Sequence, residues 1–375
     1  MTICISSIAV AMPDGMLKER GTELEQAILK VVASGRYLKS NEVLQFELEF
    51  SQFFNMQHCN ATASGTDALV LSLLAVGISA GDEVITVANT ATATVAAIKQ
   101  IGAIPVFVDV NKTTRCMDAN LLINAITEKT RAIVPVHLFG QAADMPAIMA
   151  IADHAGISVI EDCAQAHGAT INGKPVGSFG CTAAYSFYPT KNLPAMGDAG
   201  AVLTNNTDIS RYIRMASQYG WDSEGESCFD GRNSRMDEIQ AAILRINLRY
   251  LHKDNSKRRE IAQQYEQSIK GSLLQTPLIT DGHVMHLYVL ECEDRKYFRK
   301  FMHERNIDTA VHYAKPLHLH RGLVSQKSPS LPITEMLAKK IVSLPMHPFM
   351  ENIDIERVCT ALREWVDLNE QKTNG

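Results

Sequence analysis

Short apolar runs alternate with amphipathic segments between about residues 60 and 205. The apolar runs predict strands at 83–87, 105–110, 132–138, 158–161, 183–188 and 201–204. The segments between them predict helices at 66–74, 94–101, 119–126, 145–155 and 209–218. Because such alternation is typical of βαβ units, we expect an α/β fold with a mostly parallel sheet and helices on both of its faces.

The second half of the chain has a different pattern. Residues 234–269 contain neither proline nor glycine and predict a long helix that links two domains. Beyond it, we expect strands at 286–291 and 309–312 and helices at 297–304 and 353–368. A chain of 375 residues is long enough for two hydrophobic cores. We therefore predict a large domain over residues 1–250, including an N-terminal arm, and a smaller C-terminal α+β domain over 251–375.

The composition of the chain argues against several classes of function. Hydrophobic residues make up 46% of the chain, charged residues 21%, and the net charge is −5, as in globular enzymes and unlike nucleic-acid-binding proteins. The longest apolar stretch, 68–80, has 13 residues, whereas a membrane span needs about 20. The eight cysteines form no C-x-x-C pair and the 12 histidines no H-E-x-x-H motif. We expect a cytoplasmic protein with reduced thiols, no metal site and no membrane or nucleic-acid partner.

Asp162 directly follows the apolar strand predicted at 158–161. A carboxylate at that place is partly buried, and burying it without a partner is costly. A protonated ring nitrogen would compensate that charge; a helix cap or a structural salt bridge would do so too. Because side chains alternate along a strand, Glu161 is expected to point to the opposite face.

Lys191 lies in the run Ser-Phe-Tyr-Pro-Thr-Lys-Asn-Leu at 186–193, just past another predicted strand. An arbitrary lysine is more often a solvated surface charge. However, ligands of parallel sheets bind outside the carboxyl ends of the strands, where both Lys191 and Asp162 fall. A lysine that forms a Schiff base and an aspartate that pairs with a ring nitrogen are the two protein groups that pyridoxal 5′-phosphate (PLP) chemistry needs.

The run Ala-Ser-Gly-Thr-Asp-Ala-Leu at 63–69 joins a turn to a helix start. A helix N-terminus suits a phosphate, and the hydroxyls of Ser64 and Thr66 add donors; an ordinary helix cap explains the same residues. Ser186 offers a further phosphate ligand, or is a buried serine bonded to the backbone. Neither G-x-G-x-x-G nor a Walker motif occurs, which disfavours dinucleotide and Walker-type nucleotide binding.

Taken in order, these motifs resemble the DegT/DnrJ/EryC1/StrS family of PLP-dependent nucleotide-sugar aminotransferases over nearly the whole chain. Besides the segments around Asp162 and Lys191, the resemblance is carried by SGTDAL at 64–69, GDEVI at 81–85, PVHLFG at 135–140 and GRNSRMDEIQA at 231–241. It implies PLP fold type I, which is aspartate aminotransferase-like, and a homodimer with shared active sites.

The resemblance also implies residue roles. Lys191 would hold PLP as a Schiff base and then carry the proton between cofactor and sugar, with Asp162 on the pyridine nitrogen and Gln165 on the ring hydroxyl. The phosphate would be bound by Ser64, Gly65, Thr66 and Ser186, and by Asn233 from the neighbouring subunit. Tyr188, His312 and Tyr313 would approach the nucleotide-sugar.

One position departs from the family pattern. The family usually places an aromatic ring over the face of PLP in the segment 87–94, where this chain has Ala91. Aromatic stacking is typically worth about 0.5–1.5 kcal/mol, so we expect weaker cofactor binding with the chemistry retained.

Within the family, the chain is most similar to the branch that acts on dTDP-3-keto-6-deoxyhexoses. Three further segments carry this similarity: AQAHG at 164–168, FYP at 187–189 and GDAG at 197–200. The reaction implied has two halves: glutamate converts PLP to pyridoxamine phosphate (PMP), and the amine then passes to C3. The product would be an equatorial dTDP-3-amino-3,6-dideoxyhexose for a surface polysaccharide, such as lipopolysaccharide O-antigen, or a glycosylated metabolite.

Three alternatives stand beside this interpretation. The first is a 4-aminotransferase on a UDP-, GDP- or dTDP-4-keto-6-deoxyhexose. The second is a PLP-binding protein without turnover, which Lys191, Asp162 and Ser186 together disfavour. The third is a PLP-dependent sugar dehydratase, whose members carry histidine in place of Lys191.

Overall fold

Helices and strands alternate through the computed structural model, which describes residues 7–323 and 329–373. The helices are α1 Gly15–Ser34, α2 Asn41–Phe53, α3 Gly65–Ala75, α4 Thr92–Gln100, α5 Leu122–Ala125, α6 Met145–Ala155, α7 Thr207–Ala216, α8 Glu238–Ser268, α9 Arg295–His303, α10 Pro332–Lys340 and α11 Asn352–Thr373. The strands are β1 His58–Thr62, β2 Glu83–Val87, β3 Ile104–Val108, β4 Thr130–Ile133, β5 Ser158–Asp162, β6 Thr170–Ile171, β7 Lys174–Pro175, β8 Thr182–Ser186, β9 Gly200–Thr204, β10 Tyr288–Glu291 and β11 Ile341–Leu344.

The central sheet has the strand order β1-β9-β8-β5-β4-β2-β3 among the described residues. The pairs β3–β2, β2–β4, β4–β5 and β5–β8 are parallel, whereas β9 runs antiparallel to both β8 and β1. Apolar side chains from α3, α4 and α7 cover one face, and those from α2, α6 and α8 cover the other. The predicted α/β fold with a mostly parallel sheet is confirmed.

Helix α8 takes part in two hydrophobic cores. Near its start, Leu244 and Leu251 pack in the same cluster as Tyr185 from the central sheet. Towards its end, Ile261 and Tyr265 join a second cluster built on the antiparallel pair β10–β11 and on helices α9 and α11. The helix thus connects the two parts of the chain, as expected from the sequence, and the boundary at 250/251 remains a prediction.

Three predicted elements differ from the structure. The strand expected at 309–312 does not form; Ala310 alone makes a bridge, with Ser343, before the chain turns towards the site. The strand expected at 132–138 ends at Ile133; beyond it, Val136 makes one isolated parallel bridge with Asp162, and the chain reaches a positive φ at Phe139. The long helix begins at Glu238 instead of 234, since the preceding residues are extended and Ser234 is buried against Asp67.

No helix in the part of the chain that the structure describes is both long enough and apolar enough to span a bilayer.

Candidate active site

A cavity of about 220 Å³ opens at the carboxyl ends of β5 and β8, against the N-terminus of α3. Parallel sheets bind their ligands at this edge. The sequence-predicted residues that line it are Ser64, Gly65, Thr66, Asp162, Gln165, Ser186, Tyr188 and Lys191. Residues from three separate stretches of sequence therefore meet in one place.

Asp162 is buried at the end of β5. One carboxylate oxygen, Oδ2, accepts a hydrogen bond of 2.8 Å from the Thr94 hydroxyl, and Oδ1 accepts one of 3.2 Å from the Ala164 N–H. Burial raises the pKa of Asp162 above its usual value, while these hydrogen bonds and the Lys191 charge oppose the rise. Asp162 is thus a desolvated carboxylate whose charge a nearby cation would stabilise.

Glu161 faces away from the cavity, so the predicted strand alternation is confirmed. Its carboxylate is fully buried and accepts hydrogen bonds from the N–H groups of Gly177, Phe179 and Gly180. The ring of His137 donates to it through Nε2 at 3.1 Å, because His137 Nδ1 already accepts the Ala143 N–H. Burial would raise the pKa of Glu161, but these bonds hold it below its ordinary value.

Donor atoms of His137, Glu161 and Cys163 lie within 4.8 Å of one another, a spacing compatible with a metal ion. Both nitrogens of His137 and both oxygens of Glu161 already have hydrogen-bond partners in the protein. We therefore assign these side chains a structural role in holding the loop that follows β7.

Lys191 is half-buried on the loop between β8 and β9, and its amine faces the same cavity as Asp162. Burial lowers the pKa of Lys191 to about 8, although the Asp162 carboxylate acts in the opposite direction. The amine is therefore neutral, and able to attack a carbonyl carbon, at a much lower pH than a surface lysine.

The side chain of Asn192 anchors the Lys191 loop. Its Nδ2 donates to Asn255 Oδ1 at 2.8 Å and to the Val284 carbonyl at 2.9 Å. Since that nitrogen supplies the donors, Asn192 Oδ1 accepts the 3.0 Å hydrogen bond from His286 Nδ1. Helix α8 and the segment before β10 thereby fix the position of the neighbouring lysine.

The N-terminus of α3 forms one end of the cavity. Ser64 caps the helix by accepting the Asp67 N–H at 3.1 Å, so the cap foreseen as an alternative is present. A Cβ on Gly65 would lie 2.5 Å from Ser186 Cβ, and a Cβ on Gly200 would lie 2.3 Å from the Ser64 carbonyl oxygen. Both glycines therefore permit a contact that places the first helical N–H groups beside the Ser186 hydroxyl, where an anion fits.

Gln165 joins the cavity to the C-terminal part of the chain. Its Oε1 accepts the Phe139 N–H at 2.7 Å, and its Nε2 donates to the Tyr313 hydroxyl at 3.2 Å. Next to Tyr313, His312 Nδ1 lies 2.8 Å from Ser343 Oγ, and burial together with the Lys191 charge lowers the pKa of His312. Tyr188 is 54% exposed at the rim.

Asn233 is exposed and is not among the residues that line the cavity of its own chain. The next residue, Ser234, points inward and donates to Asp67 Oδ2 at 2.9 Å, while Arg232 pairs with Asp67 Oδ1. Eight predicted site residues therefore meet in the cavity, and Tyr313 contacts one of them, Gln165. His312 and Asn233 are not among the residues that line the cavity.

Two residues that position the site were not predicted from the sequence. Thr94 contacts Asp162, and Asn192 anchors the lysine loop. The alternation of threonine and alanine at 90–94 is visible in the sequence, but no local pattern pairs Thr94 with a residue 68 positions away. Ala91 does line the cavity, and Tyr188 is the single aromatic residue among the described residues that line it.

Residues 18–363 match the DegT/DnrJ/EryC1/StrS aminotransferase family. The chain belongs to this family. Its cofactor is pyridoxal 5′-phosphate. The residues of the cavity fit that group, since hydroxyl and N–H donors lie at one end, a buried carboxylate lies in its floor and a lysine amine faces it.

Two relatives and one solved structure are similar over nearly their full lengths. A dTDP-3-amino-3,6-dideoxy-alpha-D-galactopyranose transaminase from Aneurinibacillus thermoaerophilus is 43% identical over 92% of this chain and 95% of its own. A dTDP-3-amino-3,4,6-trideoxy-alpha-D-glucose transaminase from Micromonospora megalomicea subsp. nigra is 42% identical with the same coverage. The crystal structure of S. venezuelae DesV in complex with a ketimine intermediate superimposes with a TM-score of 0.94, at 38% identity over 96% of this chain and 99% of that one.

Proposed function

We propose that this aminotransferase moves an amino group from glutamate to C3 of a dTDP-3-keto-6-deoxyhexose, giving a dTDP-3-amino-3,6-dideoxyhexose. One observation carries the chemistry: a buried carboxylate, Asp162, and a lysine amine of lowered pKa, Lys191, face the same cavity. The position on the sugar is supported by the two relatives, whose names place the amino group at C3.

Lys191 acts as nucleophile and as proton carrier. Its neutral amine would hold the cofactor through the aldehyde carbon and, when it is free, would accept the proton of the reacting carbon and return it. Bound PLP supplies an electron sink that stabilises negative charge at the carbon next to the transferred nitrogen. A carboxylate beside the pyridine nitrogen favours the protonated form of that nitrogen. Asp162 would thereby increase the ability of the ring to withdraw electrons.

The remaining residues bind and orient. We assign Ser64, Gly65, Thr66 and Ser186 to the phosphate, because the α3 N-terminus and the hydroxyls converge there. Gln165 is assigned to the ring hydroxyl, and its bond to Tyr313 positions the C-terminal segment over the cavity. Tyr188, His312 and Tyr313 are assigned to the nucleotide-sugar.

A homodimer completes the site in this proposal. Asn233 is exposed and does not line its own cavity, as suits a residue that serves a second subunit. Exposed apolar side chains on and near α1 and α2 offer a surface for that subunit: Leu29, Val32, Tyr37, Leu38, Leu44 and Leu48. We also propose a reducing, cytoplasmic setting, because the cysteines at 59, 116, 163, 292 and 359 are buried as free thiols.

Product analysis tests the position of amination. The purified enzyme, loaded with PLP, is given glutamate with either dTDP-3-keto-6-deoxyhexose or dTDP-4-keto-6-deoxyhexose, and the products are assigned by NMR. We expect turnover of the 3-keto sugar and an amino group on C3, with less than about one hundredth of that rate on the 4-keto sugar. Preferred amination at C4 would keep the family and overturn the assigned substrate.

A further inference from the structure

Two buried threonines extend the hydrogen bonding of Asp162: Thr94 lies in helix α4, and Thr90 lies just before that helix. The Thr94 hydroxyl lies 2.8 Å from Asp162 Oδ2, and the Thr90 hydroxyl lies 3.0 Å from that of Thr94. Each threonine is 1% exposed. The two hydroxyls and the carboxylate therefore form a short chain of hydrogen bonds along the wall of the cavity.

The charge of Asp162 sets the direction of these bonds. An ionised carboxylate only accepts, so Thr94 donates to it. The Thr94 oxygen is then free to accept, and Thr90 becomes the donor of the second bond. All donors point towards Asp162, and hydrogen bonds to an ionised group are stronger than those between neutral groups.

The backbone adds to this arrangement. Helix α4 begins at Thr92, so Thr94 lies in its first turn, where the positive end of the helix dipole favours a negative charge. On the other carboxylate oxygen, the Ala164 N–H donates at 3.2 Å. Donors on both oxygens restrict rotation of the carboxylate about its χ2 angle.

We propose that Thr94, supported by Thr90, is a positioning residue that holds the Asp162 carboxylate in one orientation and in its ionised form towards the pyridine nitrogen of the cofactor. This inference rests on the role proposed above for Asp162.

The test replaces the hydroxyl without changing the shape of the side chain. In Thr94→Val we expect the dissociation constant of PLP to rise about tenfold, and the pH titration of the absorbance of bound cofactor to shift. Thr94→Ser keeps the hydroxyl and should restore both. The control is Thr92→Val, which makes the same change at an exposed residue of the same helix and should alter neither.

A second variant tests the same inference if Thr94→Val does not fold. Thr90→Val removes only the distal donor and should weaken PLP binding in the same direction, by about threefold. Wild-type affinity and an unshifted titration in folded Thr94→Val, or in Thr90→Val if the former does not fold, would overturn the inference.

Asp162→Asn distinguishes failure of this inference from failure of the role proposed for Asp162. If Asp162→Asn weakens PLP binding while the threonine variants do not, only this inference fails. If Asp162→Asn also binds normally, the role of Asp162 fails as well.

Discussion

Burial acts in opposite directions on the pKa values of Asp162 and Lys191. It raises the pKa of Asp162 and lowers that of Lys191 to about 8, so each residue is pushed towards its neutral form. Their mutual attraction restores part of the charge on each. Thr94 and the Ala164 N–H then favour ionisation of Asp162, whereas the largest effect on Lys191 favours the free base.

The lowered pKa of Lys191 predicts the pH dependence of cofactor capture. The neutral amine is the nucleophile, and its fraction grows as the pH rises through the pKa. The rate at which apoenzyme captures PLP should therefore rise with a midpoint near pH 8, instead of near the value of about 10.4 for an exposed lysine. Stopped-flow absorbance from pH 6 to 10.5 measures this rate, and a midpoint at or above about pH 10 would contradict the environment described for Lys191.

At the level of secondary-structure elements, two close contacts shape the end of the cavity that the N-terminus of α3 forms. Helix α3 approaches β8 and β9 so closely that Gly65 and Gly200 have no room for a side chain. In Gly200→Ala, the new Cβ meets a backbone oxygen, which cannot swing aside as a side chain could. We expect a loss of about 1–3 kcal/mol in the free energy of unfolding and at least about tenfold weaker PLP binding.

Gly21→Ala is the matched control for Gly200→Ala. Gly21 lies inside α1, and its Cβ would approach no closer than 3.9 Å to Leu17 Cβ. Alanine is the better helix former, so this variant should gain about 0.5–1 kcal/mol in the free energy of unfolding. Urea unfolding compares the two, and equal stability of Gly200→Ala and wild type would contradict the close approach of α3.

The loop that carries Lys191 depends on the amide of Asn192. In Asn192→Asp, a carboxylate would replace the group that donates to Asn255 Oδ1 and the Val284 carbonyl. Because the buried acceptors lose their donor and face a negative charge, we expect a loss of about 2 kcal/mol or more in unfolding free energy. Asn124→Asp, at an exposed position, should change stability by no more than about 0.5 kcal/mol. Similar unfolding midpoints for the two variants would contradict the anchor.

The sequence allowed us to predict those site residues whose meeting follows from the order of strands along the chain. Asp162, Ser186 and Lys191 follow apolar strands, and parallel strands bring their carboxyl ends together, so their meeting could be expected. The anchor at Asn192 joins residues 63 and 92 positions apart, and the bond from Thr94 to Asp162 spans 68 positions. No local pattern encodes such pairs. The strand expected at 309–312 failed for a related reason, since one bridge to Ser343 is all the pairing available there.

At the level of the whole molecule, buried polar contacts join the central sheet to the C-terminal part. Asp109, just after β3, accepts hydrogen bonds from the N–H groups of Ile333 and Thr334 at the start of α10. Arg115 binds Glu291 at 3.0 Å and also the Val289 carbonyl. These contacts hold the start of α10 and strand β10 against the central sheet.

The proposed sharing of sites between subunits predicts complementation. Lys191→Ala and Asn233→Ala should each be impaired as homodimers. If Asn233 serves the neighbouring subunit, a heterodimer of the two variants has one site with both residues intact. Co-expression with two affinity tags should yield heterodimers with about half of the wild-type activity. Heterodimers no more active than the Asn233→Ala homodimer would place Asn233 in its own subunit's site or outside both.

Borohydride mapping tests whether Lys191 forms the covalent link to PLP. Wild-type enzyme incubated with PLP is reduced with sodium borohydride, digested and sequenced by mass spectrometry, with Lys191→Ala treated in parallel. We expect the phosphopyridoxyl group on Lys191 and on no other lysine in stoichiometric yield, and no stoichiometric label in the variant. A label on another lysine, or equal labelling of wild type and variant, would contradict the assignment of Lys191.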